Sequence, residues 1–298
     1  MWKNNLTLIL MVALFLASCR QDNKQDTHEE KDRAAFLEEQ TSIQERRIYY
    51  RFPSPNEILE YIDREGLKFN DNLLLSADYS EKFLNSQAQA IGMGIYLTDL
   101  AYVTLFRKAN EAVDYLEVIK YLSDELYIVP ENESEIRSRV RNNLSNIDSL
   151  VSISKDSYNA MVDYLVDSGN ETTLALISAG AYIEALNLVL SQVESFEQDD
   201  PFIKKILEQK LAYENLYRYF RNQLNDDPQF EQIHQKLTQV YDKMNDIKIV
   251  KSSETKLKEV NGQLVLTGGE TTIEISNQQF QDIKTIIAQT RQDFAMQN

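Results

Sequence analysis

Ile91-Gly92-Met93-Gly94-Ile95-Tyr96-Leu97-Thr98-Asp99-Leu100-Ala101-Tyr102-Val103-Thr104-Leu105-Phe106 is apolar on nearly every side of a helical wheel. A helix with no polar face has nothing to offer water, so this stretch predicts a helix buried at the centre of a larger helical assembly. Leu174 to Val193 reads the same way, with Gly180 inside it. Gly92 and Gly94 each cost about 1 kcal/mol in a helix interior relative to alanine. Their expected use is close approach of a neighbouring backbone.

Outward from these segments the apolar pattern becomes one-sided. After Asn110, a helix cap by its residue type, Ala112, Tyr115, Leu116, Ile119, Leu122 and Leu126 form a stripe that Val129-Pro130 should stop. A helix over about 132–152 is expected next, with Ile136, Val140, Leu144, Ile147 and Val151 on one face. A shorter one carries Tyr158, Met161, Val162 and Leu165 and closes at Gly169. Asp200-Pro201 and Asp227-Pro228 each combine a capping side chain with a first-turn proline, and each should open a further helix. Nearer the N-terminus, Ser54-Pro55-Asn56-Glu57 has the same logic for a helix ending at Gly66, behind a first helix at about 33–49. Residues 67–85 read as irregular with a short helical piece.

Eight Gly and five Pro in 298 residues are too few for the many turns of a sandwich or barrel. The expected fold class is all-α: stacked antiparallel helical hairpins or an irregular bundle. One interruption is not helical. Leu257–Val260, Asn261-Gly262 and Gln263–Thr267 read as a hairpin whose turn needs positive φ, and the alternation of Thr271, Ile273 and Ile275 as a third strand. A small three-stranded β flap is therefore expected near residues 256–276, as core cover or as a lid or partner contact. A last helix starts near Asn277, with Phe280, Ile283, Ile287 and Phe294 inward.

Gly180-Ala181-Tyr182-Ile183-Glu184-Ala185-Leu186 resembles the start of the second helix of a tetratricopeptide-type repeat. Glu111-Ala112 and Glu184-Ala185 lie 73 residues apart, near two such repeats. No third copy is present, and a bundle without true repeats is the better reading.

The chain offers little conventional chemistry. His28 and His234 are its two histidines and Cys19 its one cysteine, so neither a zinc site nor a Ser-His-acid triad can be assembled from motif spacing. His234 reads as a solvated helix-flank residue. No phosphate loop or dinucleotide fingerprint is present, and no metal or cofactor is expected. Carboxylate-only catalysis survives. Asp99 is the leading candidate side chain, because an unpaired carboxylate in so apolar a helix is very costly. It must be paired, raised in pKa, or at a cavity. A structural bond to an arginine or a tyrosine hydroxyl would satisfy it equally, and Glu184 in the second apolar segment poses the same question. Tyr96 and Tyr102, with Tyr49-Tyr50, Tyr213, Tyr217 and Tyr219, are candidates to line a groove for sugar or peptide. Packing in a helical core explains them as well, and is preferred.

At the start of the chain Lys3 precedes an apolar run, Leu6 to Leu16, and Leu16-Ala17-Ser18-Cys19 closes it. This is the order of a secretory signal, too short for a membrane-spanning helix. The Leu-Ala-Ser-Cys ending resembles the lipobox of bacterial lipoproteins. The resemblance implies cleavage before Cys19, a diacylglyceryl group on its thiol and acylation of the new amino terminus. It divides the chain into a signal peptide (1–18), a lipidated flexible tether (19–33) and a helical domain (34–298). Arg20 stands where an aspartate would resemble the inner-membrane retention signal, which points to the outer membrane, on its periplasmic or surface face. In broad features the chain is similar to the all-helical envelope lipoproteins of Bacteroidetes.

Losing Lys3 with the signal takes the formal charge from -16 to -17. Such a chain is repelled by nucleic-acid phosphates and anionic headgroups, so no nucleic-acid partner is expected and the lipid must hold the protein at the bilayer. With Cys19 lipidated no cysteine is left for a disulfide. The expected function is a lipid-anchored binding or scaffold module without catalytic activity, presenting its surface to an envelope protein or glycan. Alternatives are a carboxylate-dependent glycan hydrolase and a solute-binding lipoprotein feeding a transporter.

Overall fold

A computed structural model describes residues 58–59, 68–130, 133–143, 146–224, 227–251, 256–260, 263–267 and 271–296. The signal, Cys19, the tether, the expected helix at 33–49 and Tyr49-Tyr50 lie outside the described residues, as does most of the expected helix after Ser54. Of the latter, Ile58 and Leu59 are helical and fully buried.

The fold is all-α with a small β flap. Eight long helices lie among the described residues: α1 Ser86–Leu105, α2 Ala109–Glu125, α3 Glu133–Asn142, α4 Ile147–Asp167, α5 Glu171–Ser191, α6 Pro201–Leu224, α7 Glu231–Asn245 and α8 Asn277–Ala295. As their apolar circumference requires, α1 and α5 form a central pair, each buried almost end to end. Helices α2, α4 and α8 pack against α1, helices α4, α6 and α8 against α5, and α7 closes the outside of α6 and α8. The sequence of α5 is long and apolar enough to cross a membrane, but 94% of that stretch is buried inside the protein. Its composition is that of a core helix.

The central pair touches backbone to backbone. A Cβ added at Gly94 would stand 2.0 Å from the Ile177 carbonyl oxygen, and one at Gly180 would stand 2.1 Å from that of Ile91. Thr98 Oγ1 lies 3.0 Å from the Ala181 carbonyl oxygen across the same seam. Gly92 differs from expectation: its missing Cβ makes room for the ring of Phe83, not for a backbone.

Several boundaries move for identifiable reasons. The helix expected over 132–152 is two helices: Asn146 caps α4 by accepting from Ser149 N–H, and the inward set becomes Ile147, Leu150, Ile153, Tyr158, Met161 and Leu165. α2 begins at Ala109, before Asn110, and its N-cap Lys108 makes no side-chain capping bond. α2 also ends before Pro130, because Tyr127 takes a left-handed conformation (φ 55°) and Ile128 N–H reaches back to Ser123 O at 2.9 Å. Gly180–Leu186 lies in the middle of α5 while Glu111-Ala112 opens α2, so the two Glu-Ala pairs do not occupy equivalent places. The cap at Asp200 forms as expected, accepting from Phe202 N–H at 2.7 Å, and the last helix is opened by a capping box in which Ser276 and Gln279 exchange bonds.

The flap has four strands rather than three: β1 Lys248–Lys251, β2 Lys256–Val260, β3 Gln263–Thr267 and β4 Thr271–Glu274. β2 pairs with β3, Val260 facing Gln263, which leaves Asn261-Gly262 as the two-residue connection expected. β4 pairs with β1, a strand hidden in the sequence because Ile247 prolongs the apolar stripe of α7. Ile247, Ile273 and Ile275 are buried and fasten the base of the flap to the helices.

Candidate functional site

Asp99 and Glu184 sit on the two central helices and are both fully buried. The pairing of α1 with α5 brings them together, so that each carboxyl is within the field of the other. Arg291 completes the group from α8, where it stands on the inward stripe between Ile287 and Phe294. Its Nε donates to Glu184 Oε2 at 2.6 Å and its Nη2 to Glu184 Oε1 at 3.4 Å. Asn187, one turn further along α5, donates to Glu184 as well.

The Asp99 carboxyl is differently placed. Its Oδ2 accepts the Leu75 N–H at 3.1 Å, whereas no N–H or hydroxyl donor reaches Oδ1. Burial pushes both carboxyls up, and the negative charge of Glu184 pushes Asp99 further. Arg291 opposes the shift most directly at Glu184, which it contacts. Asp99 is therefore the acid of the pair favoured to keep its proton, and with Asp99 neutral the core would hold one carboxylate, one guanidinium and one neutral acid. That arrangement would leave no net charge among the three groups.

Over this cluster lies an irregular strap, Asn70–Ser76, built around a single 3-10 turn, Asp71–Leu73, in which no residue is buried. Only Leu75 inserts into the core. The strap's main-chain groups are bound by side chains from the body. Tyr102 Oη accepts from Asn70 N–H at 3.1 Å, and Asp99 from Leu75 N–H. Tyr115 donates to Leu75 O at 2.9 Å, Tyr96 to Ser76 O at 2.8 Å, and Arg291 Nη2 to Leu73 O at 3.4 Å. Phe69, just before the strap, stacks on Tyr102 with ring centroids 5.5 Å apart. Burial, with Asp99 as a lesser contributor, raises the phenols of Tyr96 and Tyr115, so both stay protonated and able to donate.

The structure thus joins Asp99, Glu184, Tyr96 and Tyr102 at one place and adds Tyr115 and Arg291. Arg291 is legible in principle: a charged residue four after Ile287 and three before Phe294 lies on the buried face of its own helix. Tyr213, Tyr217 and Tyr219 lie elsewhere, buried in α6, and the Tyr213 hydroxyl donates to Leu237 O at 2.9 Å. His234 is not the solvated residue expected. Its ring stacks near that of Tyr217 at 6.1 Å, and its Nε2 is buried. Among the described residues no three His, Cys, Asp or Glu side chains converge on a position that could hold a metal ion. No protein-family model, curated protein or solved structure matches the chain.

Proposed function

We propose that this protein is a lipid-anchored module of the cell envelope, held at the outer membrane through Cys19, that binds or scaffolds an envelope protein or glycan without catalysing a reaction. The observation that carries the non-catalytic reading is the use made of Asp99 and Glu184. A glycan hydrolase needs two carboxyls about 5–10 Å apart facing an open groove, one to donate a proton and one to attack or activate water. Here the two acids best placed for such work do not face an open groove, and Glu184 is held by Arg291 and paired with Asp99 whether or not the strap covers them. The anchor reading rests on Leu16-Ala17-Ser18-Cys19 and on the net charge of -16, which disfavours attachment to anionic lipid by charge.

Expression in a bacterial host with a lipoprotein pathway tests both halves. Intact-mass analysis should find a product that begins at Cys19 and carries acyl chains, and Cys19→Ala should move the protein out of the membrane fraction. Crosslinking in intact cells should then recover one specific envelope component with the native chain. An unmodified product retaining Met1 to Ser18 would overturn the anchor. Hydrolysis of envelope glycan by the purified protein would overturn the non-catalytic assignment.

A further inference from the structure

We infer that Asn70–Ser76 is a displaceable lid occupying a binding site of this chain for the backbone of a short, irregular polypeptide segment. This deepens the binding-module reading and rests on it. The argument begins with what the strap contributes. Its 3-10 turn has no fully buried residue, Leu73 and Leu74 are half-buried, and Leu75 alone in the strap proper inserts fully into the core. The bonds that hold it are made to main-chain N–H and C=O groups, by Tyr102, Asp99, Tyr115, Tyr96 and Arg291. Every non-proline residue of any chain carries those groups, so the site does not require this particular sequence. The strongest sequence-specific demands are two, an aliphatic side chain where Leu75 stands and an aromatic ring where Phe69 stacks on Tyr102, with apolar residues favoured where Leu73 and Leu74 are half-buried.

The floor left by a departing strap also suits an opening site. Its polar part would be an acid, three phenols and an ion pair, groups that water can solvate, beside the apolar pocket that Leu75 vacates. A wholly apolar floor would resist opening more strongly, whereas most of what holds this strap is hydrogen bonding that water can replace. The occupant that fits is a segment of a partner polypeptide that can follow the strap's own path, its single turn included, with an aromatic and an aliphatic residue at the spacing of Phe69 and Leu75. It would dock by bonds between its main chain and the side chains of Tyr102, Asp99, Tyr115, Tyr96 and Arg291, and by the two anchors. The resident strap keeps the site closed until such a segment competes with it.

The test uses the full chain carrying Leu75→Gly, which removes the strap's aliphatic anchor and leaves all its main-chain groups. The probe is a fluorescent, end-capped peptide of residues Lys68–Asp78, followed by anisotropy. The variant should keep its helical circular dichroism and a cooperative melt. It should bind the peptide about tenfold or more tightly than the native chain does, because the resident strap no longer holds the site. The same peptide carrying Leu75→Asp should not bind. A folded variant with no saturable binding would overturn the inference. So would loss of cooperative melting in both Leu75→Gly and the milder Leu75→Ala, since the strap would then be an inseparable part of the core. Neither failure touches the binding-module reading, which recovery of a specific envelope component by crosslinking decides separately.

Discussion

Arg291 donates to Glu184 at 2.6 Å across the α5–α8 packing, with Glu184 fully buried and the Arg291 side chain 17% exposed. Such a pair gains little over a well-packed apolar pair, but losing one partner strands the other charge in a medium that solvates it poorly. Glu184→Leu or Arg291→Leu alone should destabilise the chain by about 3–5 kcal/mol, and the double substitution should recover most of that loss. Urea unfolding of the two single variants and the double measures it. Single variants within about 1 kcal/mol of native would mean that the ion pair does not hold α8 to the central helices.

The seam between α1 and α5 makes a second, independent prediction. With Gly94 facing the Ile177 carbonyl and Gly180 facing that of Ile91, a methyl at either place meets backbone, which cannot swing aside as a side chain can. Gly94→Ala and Gly180→Ala should each cost about 2–3 kcal/mol despite alanine's better helix propensity. Gly169 is the control. A Cβ there would meet nothing within 4 Å, but its φ is +70°, so Gly169→Ala should cost only the backbone strain, about 1 kcal/mol. Thermal denaturation of the three variants gives the ranking, and equal costs at all three positions would contradict the close-packed seam.

These features differ in how far the sequence announces them. The all-round apolarity of α1 and α5 is enough by itself to make them central, and Asp200-Pro201 and Ser276 mark helix starts by side-chain chemistry alone. The cap at Asn146 is masked because Leu144, Ile147 and Val151 carry the apolar period straight across the break between α3 and α4. β1 is masked for the same reason, with Ile247 prolonging the stripe of α7. Asp99 and Glu184 stand out singly as acids in apolar helices, but their meeting depends on how α1 lies against α5, which neither helix's own period encodes. The strap is the least legible part. Its bonds are made by main-chain atoms common to all residues, so no residue type in Asn70–Ser76 points to Asp99, Tyr96 or Tyr115.

The pH dependence of stability follows from where the retained proton sits. Asp99 titrates well above its ordinary value of 3.8 in the folded chain, because burial and the nearby Glu184 charge disfavour its ionised form. An acid whose folded value is raised binds its proton more tightly folded than unfolded. Its contribution is therefore complete below about pH 4 and is lost as pH rises through the folded value, with a slope of up to about 1.4 kcal/mol per pH unit. Exposed acids such as Asp148 and Asp282, held low mainly by hydrogen bonds from Arg107 and from Gln278 and Lys243, act in the opposite sense below pH 4. Comparison with Asp99→Asn cancels them, since they are common to both chains. The amide keeps an oxygen for Leu75 N–H and supplies an N–H toward Glu184, mimicking the protonated acid at every pH. Denaturation from pH 4 to pH 9 should show the two chains similar at the acid end, with Asp99→Asn the more stable as pH rises. Parallel curves, or an advantage to the native chain that grows with pH, would mean that Asp99 is ionised in the core and that Arg291 serves both acids.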